Sequence, residues 1–160
     1  MLVESWTEIL DDDDGIDFAY LDFRKAFDLL FHRHLAYKMA MYGMQQVLNW
    51  VKAFLSQRTQ KVVIRGTSSE SCDITSDVIQ GSVLGPISFL IFINDLLLEV
   101  ISPLSLFADD SKIFTRIVGE KNKNRQEACG EEILKKDLDS IKEWTVKWRM
   151  EFNVDKCKRI

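Results

Sequence analysis

Residues 16–23 consist mainly of apolar and aromatic side chains, and this pattern predicts a β-strand. Phe18, Tyr20 and Asp22 share one face of this strand, and Ala19, Leu21 and Phe23 share the other. A strand that carries apolar residues on both faces belongs in the middle of a sheet. Asp22 is therefore expected near the end of a central strand.

Helical periodicity dominates several of the other segments. Residues 45–55 place Leu48, Val51 and Leu55 on one stripe, and residues 131–150 carry a longer buried stripe that includes two tryptophans. The remaining predicted elements are helices up to residue 10, at 34–41 and at 80–98, strands at 61–65, 72–75 and 151–154, and a turn at 66–69.

The order of these elements predicts the fold class. The chain has 160 residues, 46% of them hydrophobic, which is enough for one domain with a buried core. Helices and hairpins are interspersed, and no regular alternation of strand and helix predicts a parallel sheet. We therefore expect an α+β architecture, with an antiparallel sheet and the helices packed on one of its faces.

Two adjacent aspartates, Asp109 and Asp110, lie between two short apolar runs. The pattern predicts a β-hairpin whose tight turn carries both carboxylates, because Asp tolerates the positive φ of such turns. The two charges repel each other, and a divalent cation that prefers oxygen ligands, Mg²⁺ or Mn²⁺, would relieve the repulsion. A solvated turn without a metal is the alternative. Four aspartates at residues 11–14 are expected to form a solvated acidic loop.

The charge is distributed unevenly along the chain. The net charge is −4, yet residues 29–69 contain no acidic residue. A segment with a single sign of charge predicts a surface that faces phosphates, and a solvated helix face is the alternative interpretation. The basic residues of this segment are Arg33, Lys38, Lys52, Arg58, Lys61 and Arg65.

The cysteines and the apolar segments bear on the compartment. Cys72, Cys129 and Cys157 lie far apart and match neither a zinc spacing nor a disulfide framework, which favours a reducing compartment. The first residues lack the basic and apolar parts of a signal peptide. The apolar run at 83–100 is interrupted by Gly, Pro, Asn and Asp, so no contact with a membrane is expected. We expect an intracellular protein, in the cytoplasm, the nucleus or both.

Three carboxylates could meet at one place in this fold. If the strand that ends at Asp22 lies beside the hairpin, then Asp22 converges with Asp109 and Asp110. Such a cluster can hold two divalent ions, which activate an attacking hydroxyl and neutralise a leaving phosphate. Nucleotidyl transfer and phosphodiester hydrolysis both fit this chemistry.

Four segments resemble motifs A to D of reverse transcriptases, in the same order. They are DFAYLDFRKAFD from Asp17, IQGSVLGP from Ile79 with IFINDL after it, FADD from Phe107, and WRMEFNVDKC from Trp148. The resemblance is to the polymerases of non-LTR retrotransposons (LINE and jockey-like), and it covers nearly the whole chain from about Tyr20. It implies a polymerase palm domain with an RRM- or ferredoxin-like sheet. It also implies an RNA template, a DNA primer, dNTPs and two Mg²⁺ or Mn²⁺ ions.

The resemblance implies roles for individual residues. Asp22 and Asp109 would bind both metal ions, and Asp110 would support them. The backbone carbonyl of Phe23 would complete one metal shell. Phe27 would be the steric gate that rejects a 2′-OH, with simple core packing as its alternative role. The other implied site residues are Ala26, Gln80 and Gly81 beside the nucleotide, and Lys156 or Lys158 as the acid that protonates the pyrophosphate.

The sequence departs from the family pattern near motif B. Ile79 stands where Pro is usual, Asp77 where a small residue such as Gly is usual, and Ser88 where Leu is usual. Asp77 adds a negative charge, so weaker nucleotide binding is expected. Most of the fingers and all of the thumb find no counterpart, so residues 1–160 are expected to be one palm domain. A catalytically inactive, truncated retroelement remnant, with at most weak nucleic-acid or protein binding, is the alternative. A two-metal nuclease is disfavoured, because Phe27 and Gln80-Gly81 suit a nucleotide pocket.

Overall fold

The computed structural model describes residues 2–12, 14–79, 81–118 and 130–160. The chain divides into two compact units. The first, here called the sheet unit, joins Met1–Arg24 to Asp95–Ile160, and the second, here called the helical unit, is Lys25–Asn94. The elements are α1 (Leu2–Asp11), β1 (Gly15–Asp22), α2 (His32–Met41), α3 (Gln45–Leu55), β2 (Thr59–Gln60), β3 (Val63–Ile64), β4 (Thr67–Ser68), β5 (Cys72–Asp73), α4 (Leu84–Ile93), a 3₁₀ segment (Asn94–Leu98), β6 (Leu104–Phe107), β7 (Asp110–Ile117), α5 (Gly130–Trp148) and β8 (Lys158–Arg159).

A four-stranded antiparallel sheet forms the sheet unit, in the order β6-β7-β1-β8. The predicted central strand is confirmed, because β1 pairs with β7 along its length and with β8 on its other side. Asp22, the last residue of β1, lies directly opposite Asp110, the first residue of β7. One face of the sheet carries Ala19, Leu21 and Ile113, all of them buried.

Helix α5 covers this buried face. Trp144 packs against Phe23 with their ring centroids 6.2 Å apart, and Ile141 is completely buried. The helix begins at Gly130, where a Cβ atom would collide with the carbonyl oxygen of Arg116 in β7. The helix predicted at 131–150 and the core role of its tryptophans are thus confirmed.

Helix α1 contradicts the expectation that all helices pack on one face. Trp6 of α1 meets the edges of Phe18 and Phe114 at centroid distances of 5.4 and 5.8 Å. Because side chains alternate along β1, Phe18 lies on the face opposite to Ala19. Phe18 and Phe114 form a cross-strand aromatic pair on that face, and α1 removes this apolar surface from water.

The predicted acidic loop is solvated only in part, because Asp11 and Asp12 are exposed and Asp14 is not. Asp14 is buried and accepts a hydrogen bond from Nε of Arg116, and Asp12 accepts one from the same guanidinium at 2.6 Å. Both hydrogen bonds raise the pKa of Arg116, and the bond to Asp12 has the larger effect. A buried carboxylate needs such a partner, and the residue that supplies it lies 102 positions away in the sequence.

Three helices and two short ladders form the helical unit. Helix α3 has the predicted bounds, and Leu48, Val51 and Leu55 are its buried stripe, as predicted. Helix α2 begins two residues before the predicted start, at His32. The helix predicted at 80–98 is shorter, because α4 begins only at Leu84 and the chain continues beyond it as a 3₁₀ segment.

One predicted surface charge lies in the core of the helical unit. Lys38 of α2 is almost completely buried, and its Nζ donates a hydrogen bond of 2.5 Å to the carbonyl of Phe92. The ammonium also lies 4.4 Å from the centroid of the Phe92 ring. Phe92 is in the last turn of α4, where the helix dipole favours a cation. Lys38 therefore belongs to the fold and not to a phosphate-facing surface.

The segment between α3 and α4 forms two ladders in place of the one predicted hairpin. β3 pairs with β4 around Arg65 and Gly66, which both have positive φ, and β2 pairs with β5 farther out. The turn therefore lies one residue before the predicted start at Gly66. All residues from 59 to 73 are exposed, so no buried face defined the strand register in the sequence.

The C-terminal strand also differs from its prediction. Residues 151–154 contribute only an isolated bridge between Phe152 and Phe23, and the ladder strand is β8 at Lys158–Arg159. Over the ranges that the structure describes, none of the helices combines the length and the apolar character needed to cross a bilayer.

Candidate active site

The predicted metal-binding aspartates lie at one end of the sheet. The turn between β6 and β7 consists of Ala108 and Asp109, and Phe107 pairs with Asp110 across it. Ala108, with φ of 53°, is the residue in the left-handed region. The prediction that both aspartates occupy the turn is therefore wrong, because Asp110 already belongs to β7 and lies opposite Asp22.

Asp109 stays close to these two residues through the backbone. The amide of Phe23 donates to the carbonyl of Asp109 at 3.4 Å. Asp22 and Asp110 point to one face of the sheet because they are cross-strand partners, whereas Asp109 lies in the turn beyond the ladder. The backbones of the three residues thus lie side by side in space, although Asp22 is far from the other two in sequence.

Their side chains do not form a ready-made metal centre. In the part of the chain that the structure describes, no group of three or more His, Cys, Asp or Glu side chains is arranged to hold a metal ion. The expected convergence of three carboxylates is therefore incomplete. The donor chemistry still fits Mg²⁺ or Mn²⁺, because Asp22 and Asp110 offer hard oxygen ligands and Asp110 is open to solvent.

Lys156 lies at the same end of the sheet. Its Nζ is 3.1 Å from Oδ2 of Asp22, whose side chain is only 16% exposed. Two like charges directly opposite each other destabilise a ladder, and this ammonium offsets part of the repulsion between Asp22 and Asp110. Lys158, the other candidate for the acid, belongs to β8 and lies opposite Tyr20 of β1. The geometry therefore favours Lys156 over Lys158.

A second group of predicted residues lines a cavity of about 410 Å³ in the helical unit. Phe27 forms one wall and packs against Phe89, with ring centroids 4.9 Å apart, so part of its surface is core and part faces the cavity. Ala26, beside it in sequence, is buried. Gly81 and Pro86 line the same cavity. The packing against Phe89 agrees with the core role that the sequence allowed for Phe27, and the steric-gate role stays a prediction.

The loop before α4 is held by a side-chain bridge. Oγ of Ser82 donates to the carbonyl of Ile79 at 2.6 Å and accepts from the amide of Gly85 at 3.1 Å. Gly81 has φ of 80°, and a Cβ there would meet no atom within 4 Å, so its backbone faces open space. The predicted site residue Gln80 lies outside the residues that the structure describes.

Asp77 is compensated where it departs from the family pattern. Its φ of 92° lies in a region that non-glycine residues rarely adopt. Nη2 of Arg58 is 3.1 Å from its Oδ2, and Nε2 of His32 is 2.7 Å from its carbonyl oxygen. The negative charge expected near the nucleotide is therefore paired, and Arg58 is no longer available as part of a phosphate-facing surface.

Sequence reasoning missed two acidic residues that organise the sheet unit. Asp17 is buried and forms an ion pair with Arg159 of β8. The two carboxylate oxygens of Asp137 accept hydrogen bonds from the backbone amides of Ile101 and Ser102, which precede β6. One signal for Asp17 was available, since its position in β1 places it on the apolar face, where a charge needs a partner. The sequence contains no comparable signal for Asp137.

Comparisons with known proteins identify the family of this chain. Residues 13–160 match the family model described as reverse transcriptase (RNA-dependent DNA polymerase). Over 150 residues the chain is 31% identical to an RNA-directed DNA polymerase from the mobile element jockey of Drosophila melanogaster. It is 32% identical over 150 residues to the jockey polymerase of Drosophila funebris. Both alignments cover 89% of this chain but only 16% of the relative.

A solved structure is similar in fold. The apo telomerase of Candida tropicalis, truncated from its C-terminal domain, superposes with a TM-score of 0.65 over 99% of this chain and 34% of the telomerase chain. At 16% identity this likeness concerns the fold alone, a mixture of helices and antiparallel sheet. Since the family model matches nearly all of the sequence, the chain belongs to the reverse transcriptase (RNA-dependent DNA polymerase) family.

Proposed function

We propose that this chain is the palm domain, with motifs A to D, of an RNA-directed DNA polymerase that extends a DNA primer on an RNA template. The observation that carries the proposal is the pairing of Asp22 with Asp110 beside the turn at Asp109, in a chain of the reverse transcriptase family. The chain spans 16% of the length of its jockey relatives, so the activity in their names supports the proposal without establishing it.

The carboxylates at the end of the sheet would hold two Mg²⁺ or Mn²⁺ ions. We assign Asp22 and Asp109 as ligands of both ions, Asp110 as the supporting carboxylate and the carbonyl of Phe23 as an additional ligand. Bound ions of this kind activate the primer 3′-OH and neutralise the charge on the leaving pyrophosphate. Lys156, whose Nζ lies 3.1 Å from Oδ2 of Asp22, would donate a proton to the leaving pyrophosphate.

The cavity beside Phe27 would accept the sugar and base of the incoming dNTP. The ring of Phe27 is supported from behind by Phe89, so it cannot move aside easily for a 2′-OH. Ala26 fixes the start of this segment in the core, and Gly81 lets the loop backbone approach a ligand closely. Gln80 is assigned to the same cavity by its motif.

The helical unit would contact the phosphates of the RNA template and the DNA primer. After Lys38 and Arg58 are set aside, the basic side chains that remain exposed in residues 29–69 are Arg33, Lys52, Lys61 and Arg65. Contacts of this kind do not depend on sequence and weaken with salt. A polymerase of this type would act in the cytoplasm, the nucleus or both.

Primer extension on poly(rA)/oligo(dT) with Mg²⁺ or Mn²⁺ tests the activity. Incorporation should occur, and it should disappear in Asp22→Asn and in Asp109→Asn. Asp139→Asn, an exposed aspartate on α5, is the matched control and should behave like the parent. Incorporation that survives both site variants, or its absence from the parent at every protein concentration, would refute the proposal and support an inactive remnant.

Titration with Mn²⁺, followed by electron paramagnetic resonance, tests the metal assignment separately from activity. The parent and Asp139→Asn should bind Mn²⁺ equally, and Asp22→Asn and Asp109→Asn should bind it at least about tenfold more weakly, as expected when a carboxylate ligand is lost. Equal affinity in all four proteins would place the ions elsewhere.

A further inference from the structure

The C-terminal segment pairs with β1 in two different registers. Near the end of β1, Phe23 is bridged to Phe152, and the amide of Asn153 donates to the carbonyl of Asp22 at 2.8 Å. If this register continued without interruption, Lys156 would lie opposite Ala19. In the structure Arg159 lies opposite Ala19, so the two registers differ by three residues.

The three additional residues form a turn that contains Lys156. The amides of Lys156 and Cys157 both donate to the carbonyl of Asn153, at 2.9 and 3.1 Å, which closes the turn. From this turn the Lys156 side chain reaches Asp22. The position of its ammonium beside the aspartates thus depends on the offset between the two registers.

The ion pair between Asp17 and Arg159 lies within the part of the sheet that has the second register. Nη2 of Arg159 is 2.6 Å from Oδ2 of Asp17, and Nε is 3.1 and 3.0 Å from its two oxygens. The side chain of Asp17 is only 5% exposed, so the carboxylate would be costly to bury without this fork. Glu131 of α5 accepts a further bond from the same guanidinium at 3.2 Å.

The geometry of this ion pair is specific to one register. Arg159 lies opposite Ala19, and Asp17 is two residues from Ala19 on the same face of β1, so the pair is a cross-strand diagonal. In the uninterrupted register Lys156 would take the place of Arg159, and its single ammonium cannot form a two-pronged contact. The hydrogen bonds to Asp17, and then to Glu131, raise the pKa of Arg159, which keeps it charged.

We propose that Asp17 and Arg159 are positioning residues, which hold β8 in the offset register and thereby present Lys156 to Asp22. The proposal rests on the proposed function only for the role of Lys156 as a proton donor. The register itself is a property of the fold and can be tested without substrates.

Hydrogen exchange of single amides, measured by NMR, tests the register. The amides of Phe18 and Ile160 each donate a hydrogen bond to the other residue's carbonyl, and both bonds belong to the offset register. The amide of Asn153 donates to the carbonyl of Asp22 and belongs to the other register. In Arg159→Gln, the Phe18 and Ile160 amides should exchange roughly tenfold faster or more, and the Asn153 amide should be unchanged. Asp17→Asn, which keeps the side-chain shape, should show the same pattern.

Arg24→Gln is the matched control, because Arg24 forms an exposed ion pair with Glu151 in the same region at 3.9 Å. It should leave all three amides as in the parent. Protection of Phe18 and Ile160 that is equal in the parent and in Arg159→Gln would overturn the proposal. Accelerated exchange of Asn153 together with the other two would also overturn it, because the segment would then be detaching as a whole.

Steady-state primer extension tests the consequence for Lys156. Arg159→Gln should lower kcat about tenfold and leave KM for dNTP within about twofold, because proton donation is affected and nucleotide binding is not. Adding Lys156→Gln to Arg159→Gln should then lower kcat no further than Lys156→Gln alone. Fully additive losses would overturn the positioning role. Absence of incorporation by the parent would refute the proposed function, while the exchange experiment would still decide the register.

Discussion

Arg58 and Asp77 offer a sharp test of how this chain tolerates a charged residue at a position that suits glycine. Their side chains are 21% and 32% exposed, so water screens the pair only in part. A charge-assisted hydrogen bond of this kind contributes about 1.5 kcal/mol. The φ of 92° at Asp77 opposes this with a strain of about 1 kcal/mol that glycine would not have.

These two contributions predict that the effect of Asp77→Gly on the free energy of unfolding changes sign when Arg58 is replaced. Arg58→Met loses the pair and should lower the free energy of unfolding by about 1.5 kcal/mol. Asp77→Gly loses the same pair but relieves the strain, for a net loss of about 0.5 kcal/mol. The double variant also loses the ion pair and is also freed of the backbone strain, so its net loss is again about 0.5 kcal/mol. Asp77→Gly should therefore destabilise the parent but stabilise Arg58→Met by about 1 kcal/mol.

Urea unfolding of the four proteins, followed by circular dichroism, measures this cycle. Arg33→Met, at an exposed arginine of α2, is the matched control, and its effect should be within about 0.5 kcal/mol and additive with Asp77→Gly. If Asp77→Gly changes stability by the same amount with Arg58 and without it, then the contact at 3.1 Å contributes nothing and the reasoning is refuted.

Three further outcomes follow from the structure. Phe27→Val should raise the ratio of rNTP to dNTP incorporation in primer extension, because the gate loses its ring, and an unchanged ratio would leave Phe27 with packing alone. Lys38→Ala should cost about 2–4 kcal/mol in urea unfolding, whereas Lys38→Met, which keeps the apolar stem, should cost less than about 1.5 kcal/mol; equal costs would assign the effect to the ammonium. Hydrogen bonds with Asp12 and Asp14 raise the pKa of Arg116. The contribution of these bonds to folding stability is therefore complete below the ordinary arginine pKa, and it is lost only as the pH rises through the raised pKa. The stability difference between the parent and Arg116→Gln should therefore be constant from neutral to mildly alkaline pH, and a difference that shrinks over this range would contradict this sign.

Local pattern was sufficient for the elements whose burial is periodic. Helix α3 and strand β1 carry regular apolar positions, and both have nearly the predicted bounds. The adjacency of Asp22 and Asp110 followed from placing two predicted elements side by side, and the register confirms it. The sequence resemblance placed the family correctly, and the family model agrees.

Contacts between distant residues explain what the sequence could not predict. Asp14 looked like part of a solvated acidic run, and only Arg116 makes its burial possible. The C-terminal strand was expected near Phe152, but its register depends on Arg159 and Asp17, which are 142 residues apart. At the hairpin, the sequence suggested Asp in the left-handed position, whereas strand pairing leaves that position to Ala108. In the first two cases a long-range contact overrode a local preference, and at the hairpin the pairing of the two strands did so.

The discontinuous course of the sheet unit has a consequence for biosynthesis. Strand β1 leaves the ribosome before both strands that flank it, β7 and β8, because the whole helical unit lies between them in the sequence. The helical unit is continuous in sequence and can close first. Until residue 117 has emerged, β1 has two unpaired edges, which is the state most prone to association with other nascent chains. Translation products that stop before β7 should therefore accumulate as aggregates.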